Sequence, residues 1–439
     1  MTTQIESLVA DTPRRTEVPT RRLSALADSL VGSEILRIAA QVRELRERGT
    51  AICDLTIGDF GATEFPAPEA LVEGTVAALR HGETKYPPSA GLPVLRKSIA
   101  ELYARDLSLE YPVEGVLVTC GSRPGIYATY RTLVDPGDRV VYPVPSWNNN
   151  HYCHLVGAES VKVPTTSENA FLPSAEDIAP HLRGARLLVL NSPNNPTGSA
   201  LSAEGLGAIC DAVLEENARR ADGERPLYLL YDQVYWMITF DGVAHVDPVS
   251  VRPAMRPYTV FVDGISKAFA ATGVRVGWVV GPTDVISHMN TILGHIGTWA
   301  PRAEQIATAG LLSSPDQIAA FREHLCAGLS ARLTSLHDGI LAMRADGLPV
   351  DAVRPMGAMY LSARFALVGR RTPDGRTLES NADVRAYLLA RAGVAVVPFQ
   401  AFGAMDETGW CRLSCGAVSM QDIADALPRL RDALTALEA

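Results

Sequence analysis

Between about residue 95 and residue 295 short β-rich runs alternate with helical stretches, and no other feature narrows the possible folds as much. The runs read GVLVTC, DRVVYP, ARLLVLN, LYLLYD, YTVFVD and VRVGWVVG, each bounded by turn residues. Strands separated by crossover helices pair in parallel, and a parallel sheet has both faces covered, so its strands read as nearly unbroken apolar runs. The fold class expected is α/β, with a mainly parallel sheet between layers of helices. In such sheets ligands bind beyond the carboxyl ends of the strands. The residues that follow the runs are 121–125, 145–150, 191–198, 232–235 and 263–267, so five polar strand ends are expected to converge on one crevice.

The rest of the chain frames that sheet. No Pro/Ser-rich or charged linker divides the 439 residues, which points to two interleaved lobes. The segment EILRIAAQVRELRERG places Ile35, Ile38, Val42 and Leu45 on one helical face and ends at Gly49, a fitting C-cap. After about residue 320 come a long helical stretch, strands around AMYLSARF, VAVVPF and CRLSCG, and a closing helix, which reads as a smaller α+β lobe. In the closing helix Ile423, Leu427, Leu430, Leu434 and Leu437 share a face, and Pro428 is expected to kink or delay it. The net charge is −9, with basic residues scattered outside one cluster at Arg364 to Arg376. That argues against a nucleic-acid groove or an anionic membrane surface and for small-molecule chemistry. Seven cysteines, odd in number and without a C-x-x-C pair, read as reduced thiols of a cytoplasmic protein. Neither a signal peptide nor a membrane-spanning helix is expected, and roughly the first thirty residues read as a mobile arm.

The chemistry centres on VDGISKAFAATGVRVGW. Lys267 lies among small residues at a strand end, where an amine with a lowered pKa can attack an aldehyde; the ordinary alternative is a solvated loop lysine. The segment SKAFAATGVRVGW resembles the lysine motif of the class I aminotransferases, fold type I enzymes dependent on pyridoxal phosphate. The resemblance implies that Lys267 forms the Schiff base and that Arg275 and Ser266 bind the phosphate. NSPNNPTG resembles a second signature of the family, with Asn195 donating to the phenolic oxygen of the cofactor. In YDQVYW, Asp232 matches the aspartate facing the ring nitrogen, where a carboxylate keeps the pyridinium protonated. Tyr235 matches the tyrosine that shares the phenolic oxygen with Asn195; both hydrogen bonds stabilise the phenolate and lower the proton affinity of the neighbouring imine.

The resemblance continues through most of the chain from about residue 34. Trp147 in YPVPSWNNN falls where the family stacks an aromatic ring on the cofactor, and Gly121, Ser122 and Arg123 of CGSRPG can turn backbone N–H groups toward its phosphate. Tyr86 in KYPPSAGLPVLRKSIA matches a tyrosine that reaches the neighbouring subunit's phosphate, which implies a homodimer with shared sites. Arg412 in GWCRLSCG matches the arginine that grips the substrate α-carboxylate, with Gly58 nearby. Arg123 stands where some bacterial aspartate aminotransferases carry a basic residue for a distal carboxylate, so aspartate or glutamate is the favoured donor; Arg123 as a helix cap is the plainer alternative. Asn195 and Trp147 also border the substrate in this reading.

The implied architecture is a seven-stranded large domain over residues 76–320, a small domain built from residues 34–75 and 321–439, and the arm over residues 1–33. The departures are Gly264 in place of a frequent serine, the missing proline after Gly58, and the polar run Asn148 to His151 with Cys153 and His154, a poor match to any metal spacing. They leave open an elimination or replacement reaction on an amino acid such as S-adenosylmethionine. A non-catalytic, aminotransferase-like binding module is the remaining reading, opposed by the acidic chain and the retained Lys267.

Overall fold

The computed structural model describes residues 23–32 and 34–438, so most of the expected arm lies outside the described residues. A short first strand, β1 (Cys53–Asp54), pairs in parallel with β11 (Val394–Ala395), and all six β-rich runs form strands: β2 (Val116–Thr119), β3 (Arg139–Val144), β5 (Ala185–Asn191), β6 (Tyr228–Asp232), β7 (Thr259–Gly264) and β8 (Gly277–Val280). With β4 (Glu159–Pro164) they make a seven-stranded sheet in the order β2-β8-β7-β6-β5-β3-β4. β4 was not among the expected runs. It is the outer edge strand, and its charged, half-exposed sequence ESVKVP hides the β pattern while discouraging edge-to-edge pairing. β8 alone runs antiparallel to its neighbours, because β7 returns to it through a short connection with no crossover helix.

Alternate residues on each strand face opposite layers. Leu188, Leu190, Leu229, Tyr231, Phe261 and Trp278 pack in one core, and Leu187, Val189, Leu230, Val260, Val262 and Val279 in the other. A further core lies under the antiparallel sheet β12-β13-β10-β9, formed by Val397–Pro398, Trp410–Ser414, Tyr360–Phe365 and Val350–Ala352. The helix Pro315–Ala345 runs along this core with Leu325, Leu329, Leu333, Leu336 and Ile340, and it begins before the expected break at residue 320. Leu71, expected in the small domain, joins the core of the large sheet instead. The entry helix Glu34–Glu47 buries Ile38 against Phe399 and Trp410, and Val42 and Leu45 against Leu389 and Ala395. Residues of both lobes meet around Val234, Tyr235 and Ile238, which follow β6 yet pack into the core under the antiparallel sheet. All seven cysteines are free, and among the described residues no helix is long and apolar enough to cross a membrane.

The closing helix is not delayed by Pro428. It runs unbroken from Met420 to Thr435 through Pro428, started by a capping box in which the Ser419 and Asp422 side chains each satisfy the other's backbone N–H. Burial of Ile423, Ala426, Leu430 and Leu434 holds the helix together across the residue that should interrupt it. Pro428 is exposed, so its missing N–H leaves the Ala424 carbonyl to solvent. Pro428→Ala is therefore expected to stabilise the fold by about 1–2 kcal/mol, the helix-interior penalty of proline less its restraint on the unfolded chain, measured as a shift in urea midpoint.

Candidate active site

The carboxyl ends of the central strands open into a cavity of about 470 Å³ at the seam of the two lobes, a size suited to a small organic ligand. Gly58, Ser122, Arg123, Trp147, Asn195, Asp232, Tyr235, Ser266, Lys267, Arg275 and Arg412, each singled out from the sequence, all line it. Glycines make their convergence possible. A Cβ on Gly277 would sit 2.5 Å from the Ser122 nitrogen, so only glycine lets β8 pass beneath the loop that starts the helix Ser122–Leu133. A Cβ on Gly121 would collide with the Arg275 guanidinium. Gly264, noted as lacking a serine hydroxyl, has an equally local reason: a Cβ there would lie 2.8 Å from the Gly277 Cα, so the two strands leave no room for one.

Lys267 sits in the short helix Ile265–Ala268 directly after β7. Its Nζ donates to the Gly58 carbonyl at 2.5 Å. Burial lowers the amine's pKa to about 8; the Asp59 carboxylate pulls it upward, while Arg412, Arg123 and Arg275 push it further down. Asp232 ends β6, and burial raises its carboxyl to about 7 against the opposing effects of the Val234 N–H and the Lys267 charge. That single backbone donor, at 3.2 Å to Oδ1, leaves the other carboxyl oxygen open to a ligand donor.

Arg412, at the centre of β13, is fully buried and forms no ion pair among the described residues. Its Nη1 donates to Asn195 Oδ1 at 3.0 Å and its Nη2 to the Thr56 carbonyl at 2.5 Å, whereas Nε has no partner. Its guanidinium lies 4.8 Å from the centres of both the Tyr360 and Phe402 rings. Because Arg412 occupies the oxygen of the Asn195 amide, the Asn195 NH₂ remains as a donor, and the Asn195 backbone N–H is held by Asn191 Oδ1 at 2.7 Å. A buried guanidinium without a counter-ion is costly unless a ligand supplies the anion.

The donor set fits a planar, phosphate-bearing ring. The helix Ser122–Leu133 starts at Gly121 with no side chain capping it, so its first N–H groups are free for an anion. Beside them Arg275, held in the left-handed region at φ 63°, donates to the Thr272 and Cys120 carbonyls, and among the described residues no carboxylate is paired to it. Arg123 stacks 4.4 Å from the Trp147 ring centre, an observation that helix capping does not explain.

Tyr86 lies apart from this cavity. It is 84% exposed and packs edge-on against Trp299 in a separate surface recess. The run Asn148 to His151 starts the helix Asn149–Val156, where Asn149 is buried between Tyr130 and Ser146; no cluster of three or more metal-ligating side chains occurs among the described residues. The sequence reading missed Asp59, Thr272, Tyr360 and the stripe Ile35, Ala39 and Arg43 on the entry helix, all of which line the cavity. The four-residue spacing of that stripe was visible, but nothing in it showed which neighbour it faced.

Comparison with known proteins agrees with this geometry. The family described as aminotransferase class I and II matches residues 50–430. The chain is 30% identical to an aspartate aminotransferase of Geobacillus stearothermophilus, over 93% of this chain and 98% of that protein. It is 33% identical to an aspartate/prephenate aminotransferase of Thermus thermophilus, over 93% of this chain and 98% of that protein. The crystal structure of an aspartate aminotransferase from Rhizobium meliloti superposes with a TM-score of 0.86 at 29% identity, covering 95% of this chain and all of that one. The enclosed lysine, the unpaired buried arginine and the uncapped helix start are thus set in a fold shared with these enzymes, and the chain belongs to the aminotransferase class I and II family.

Proposed function

We propose that the chain holds pyridoxal 5'-phosphate through Lys267 and moves an amino group between an acidic L-amino acid and a 2-oxo acid. One observation carries this reading: a half-buried amine of lowered pKa, Lys267, and a buried guanidinium without an ion pair among the described residues, Arg412, line the same cavity. When bound, the cofactor supplies an electron sink for the pair left when a bond to the substrate Cα breaks.

The chain's own groups do the rest. Asp232 keeps a proton on the ring nitrogen, while the Asn195 NH₂ and the Tyr235 hydroxyl donate to the phenolic oxygen. Trp147 covers one face of the ring, and Ser266, Arg275 and the N–H groups from Gly121 to Arg123 meet the phosphate. Arg412 takes the α-carboxylate beside Gly58 in a bidentate contact that a lysine could not reproduce. Once its amine is free, Lys267 accepts the α-proton; an amine with a pKa of about 8 is unprotonated in a useful fraction near neutral pH. The elimination reading on S-adenosylmethionine has no specific observation in its favour, whereas the named relatives are aminotransferases.

Arg123 at the cavity wall, with Arg43 on the same cavity, supports a second carboxylate on the substrate. The names of the relatives, aspartate and aspartate/prephenate aminotransferases, agree with a dicarboxylate. The exposed Tyr86, packed on Trp299, supports a homodimer in which Tyr86 reaches the partner's site.

Three outcomes test this reading. Borohydride reduction of the loaded protein is expected to fix the cofactor's mass on the peptide carrying Lys267, and Lys267→Ala is expected to lose both that mass and activity by at least about 10⁴-fold. Arg123→Ala is expected to raise KM for aspartate roughly tenfold or more and to leave KM for alanine nearly unchanged, as removal of one charge-assisted contact implies; equal effects on both remove its role. Mixing the separately inactive Lys267→Ala and Tyr86→Ala proteins is expected to restore activity through hybrid dimers that carry one intact site. No restoration sinks the shared-site dimer.

A further inference from the structure

We propose that Tyr360 is a positioning residue for Tyr235: its hydroxyl donates to the Tyr235 oxygen and so directs the Tyr235 proton into the cavity. This rests on the reading above, in which Tyr235 faces the phenolic oxygen of the cofactor. The two hydroxyl oxygens lie 2.7 Å apart, a separation at which one hydrogen is shared and either oxygen could be its donor. Among the described residues neither hydroxyl has another hydrogen-bond partner.

The surroundings decide the direction. Tyr360 is 1% exposed, and its hydroxyl lies against Gly58, where an added Cβ would sit 2.5 Å away. Its ring is pinned edge-on to Tyr235 at 5.6 Å between centres and lies beneath the Arg412 guanidinium. If Tyr235 donated to Tyr360, the O–H left to find an acceptor would be that of Tyr360, the less exposed of the two at 1% against 3% and without another partner among the described residues, which proteins avoid. If Tyr360 donates, every hydrogen finds a place: Tyr360 O–H on the Tyr235 oxygen, and Tyr235 O–H on the oxygen of a bound ligand. A hydroxyl that accepts one hydrogen bond is a stronger donor in the next, so Tyr360 strengthens what Tyr235 gives. The positive charge of Arg412 draws both hydroxyls toward ionisation against the burial that opposes it, and its guanidinium lies over the Tyr360 ring. In this arrangement Tyr360 acts on the phenolic oxygen through Tyr235.

The test is a pH titration of the absorbance of cofactor-loaded protein without any amino acid, on the wild type, Tyr360→Phe, Tyr235→Phe and the double variant. Phenylalanine keeps the ring under Arg412, and Tyr235 retains the ligand oxygen as acceptor, so the substitution leaves no buried donor unsatisfied. A weaker donor to the phenolic oxygen stabilises the phenolate less and raises the proton affinity of the imine. The absorbance transition is therefore expected to move up by about half a pH unit in Tyr360→Phe and further in Tyr235→Phe. The double variant is expected to match Tyr235→Phe alone, because Tyr360 acts through Tyr235. A Tyr360→Phe transition that stays at the wild-type pH while that of Tyr235→Phe moves overturns the proposal and leaves the cofactor reading intact, as do shifts that add in the double variant. An unmoved Tyr235→Phe removes the Tyr235 assignment and this proposal with it.

Discussion

The structure depends on holding charged groups out of water at the seam between two cores without pairing them to one another. Arg412 is fully buried and Lys267 half-buried, and neither has an ion-pair partner among the described residues. The protein compensates with neutral dipoles and rings: the Gly58 and Thr56 carbonyls, the Asn195 amide, and the faces of Tyr360 and Phe402. These soften the desolvation of the cations without neutralising them, so an anionic ligand gains more here than it would at a surface. A salt bridge at either position would make a more stable protein and a poorer binding site.

Such an arrangement requires backbone segments to come unusually close. Gly121, Gly264 and Gly277 allow the ends of β2, β7 and β8 to meet, and the left-handed Arg275 between β7 and β8 turns its guanidinium back toward the loop after β2. The strain is local. The sheet cores on either side, packed alternately along each strand, keep these strand ends from relaxing apart.

A second buried network stiffens the sheet below the cavity. Asp263 accepts from the Trp236 indole at 2.8 Å, from Tyr103 at 3.3 Å and from its neighbour's backbone N–H, and Tyr103 in turn accepts from Gln233 at 3.1 Å and Trp278 at 3.3 Å. Burial drives the Asp263 carboxyl up to about 8, yet each of its hydrogen bonds comes from a donor, the pattern of an acceptor group. Asp263 lies one residue beyond Val262, the register partner of Asp232, so it projects from the opposite face of the sheet and ties β7, the strand that leads into Lys267, to the loop that follows β6.

What the sequence by itself determined is local. The apolar runs specified the strands because a doubly covered sheet needs them, and the residues after each run were legible because strand ends are where such sheets bind. Lys267, Asp232, Asn195, Arg275 and Arg412 stood out because each sits in a short, chemically distinctive motif. The exposed edge strand β4, the unbroken helix through Pro428 and the attachment of Leu71 to the large core were not legible, since burial by distant segments decides them. Tyr360 shows the difference most clearly. In AMYLSARF it reads as one more apolar strand residue, and only when β10 packs beside β13 and the segment after β6 crosses the seam do its hydroxyl, the Tyr235 oxygen and the Arg412 guanidinium come together. Pattern along the chain records which residues are apolar and which can do chemistry; which of them share a proton depends on contacts between residues more than a hundred positions apart, and those exist only in the folded chain.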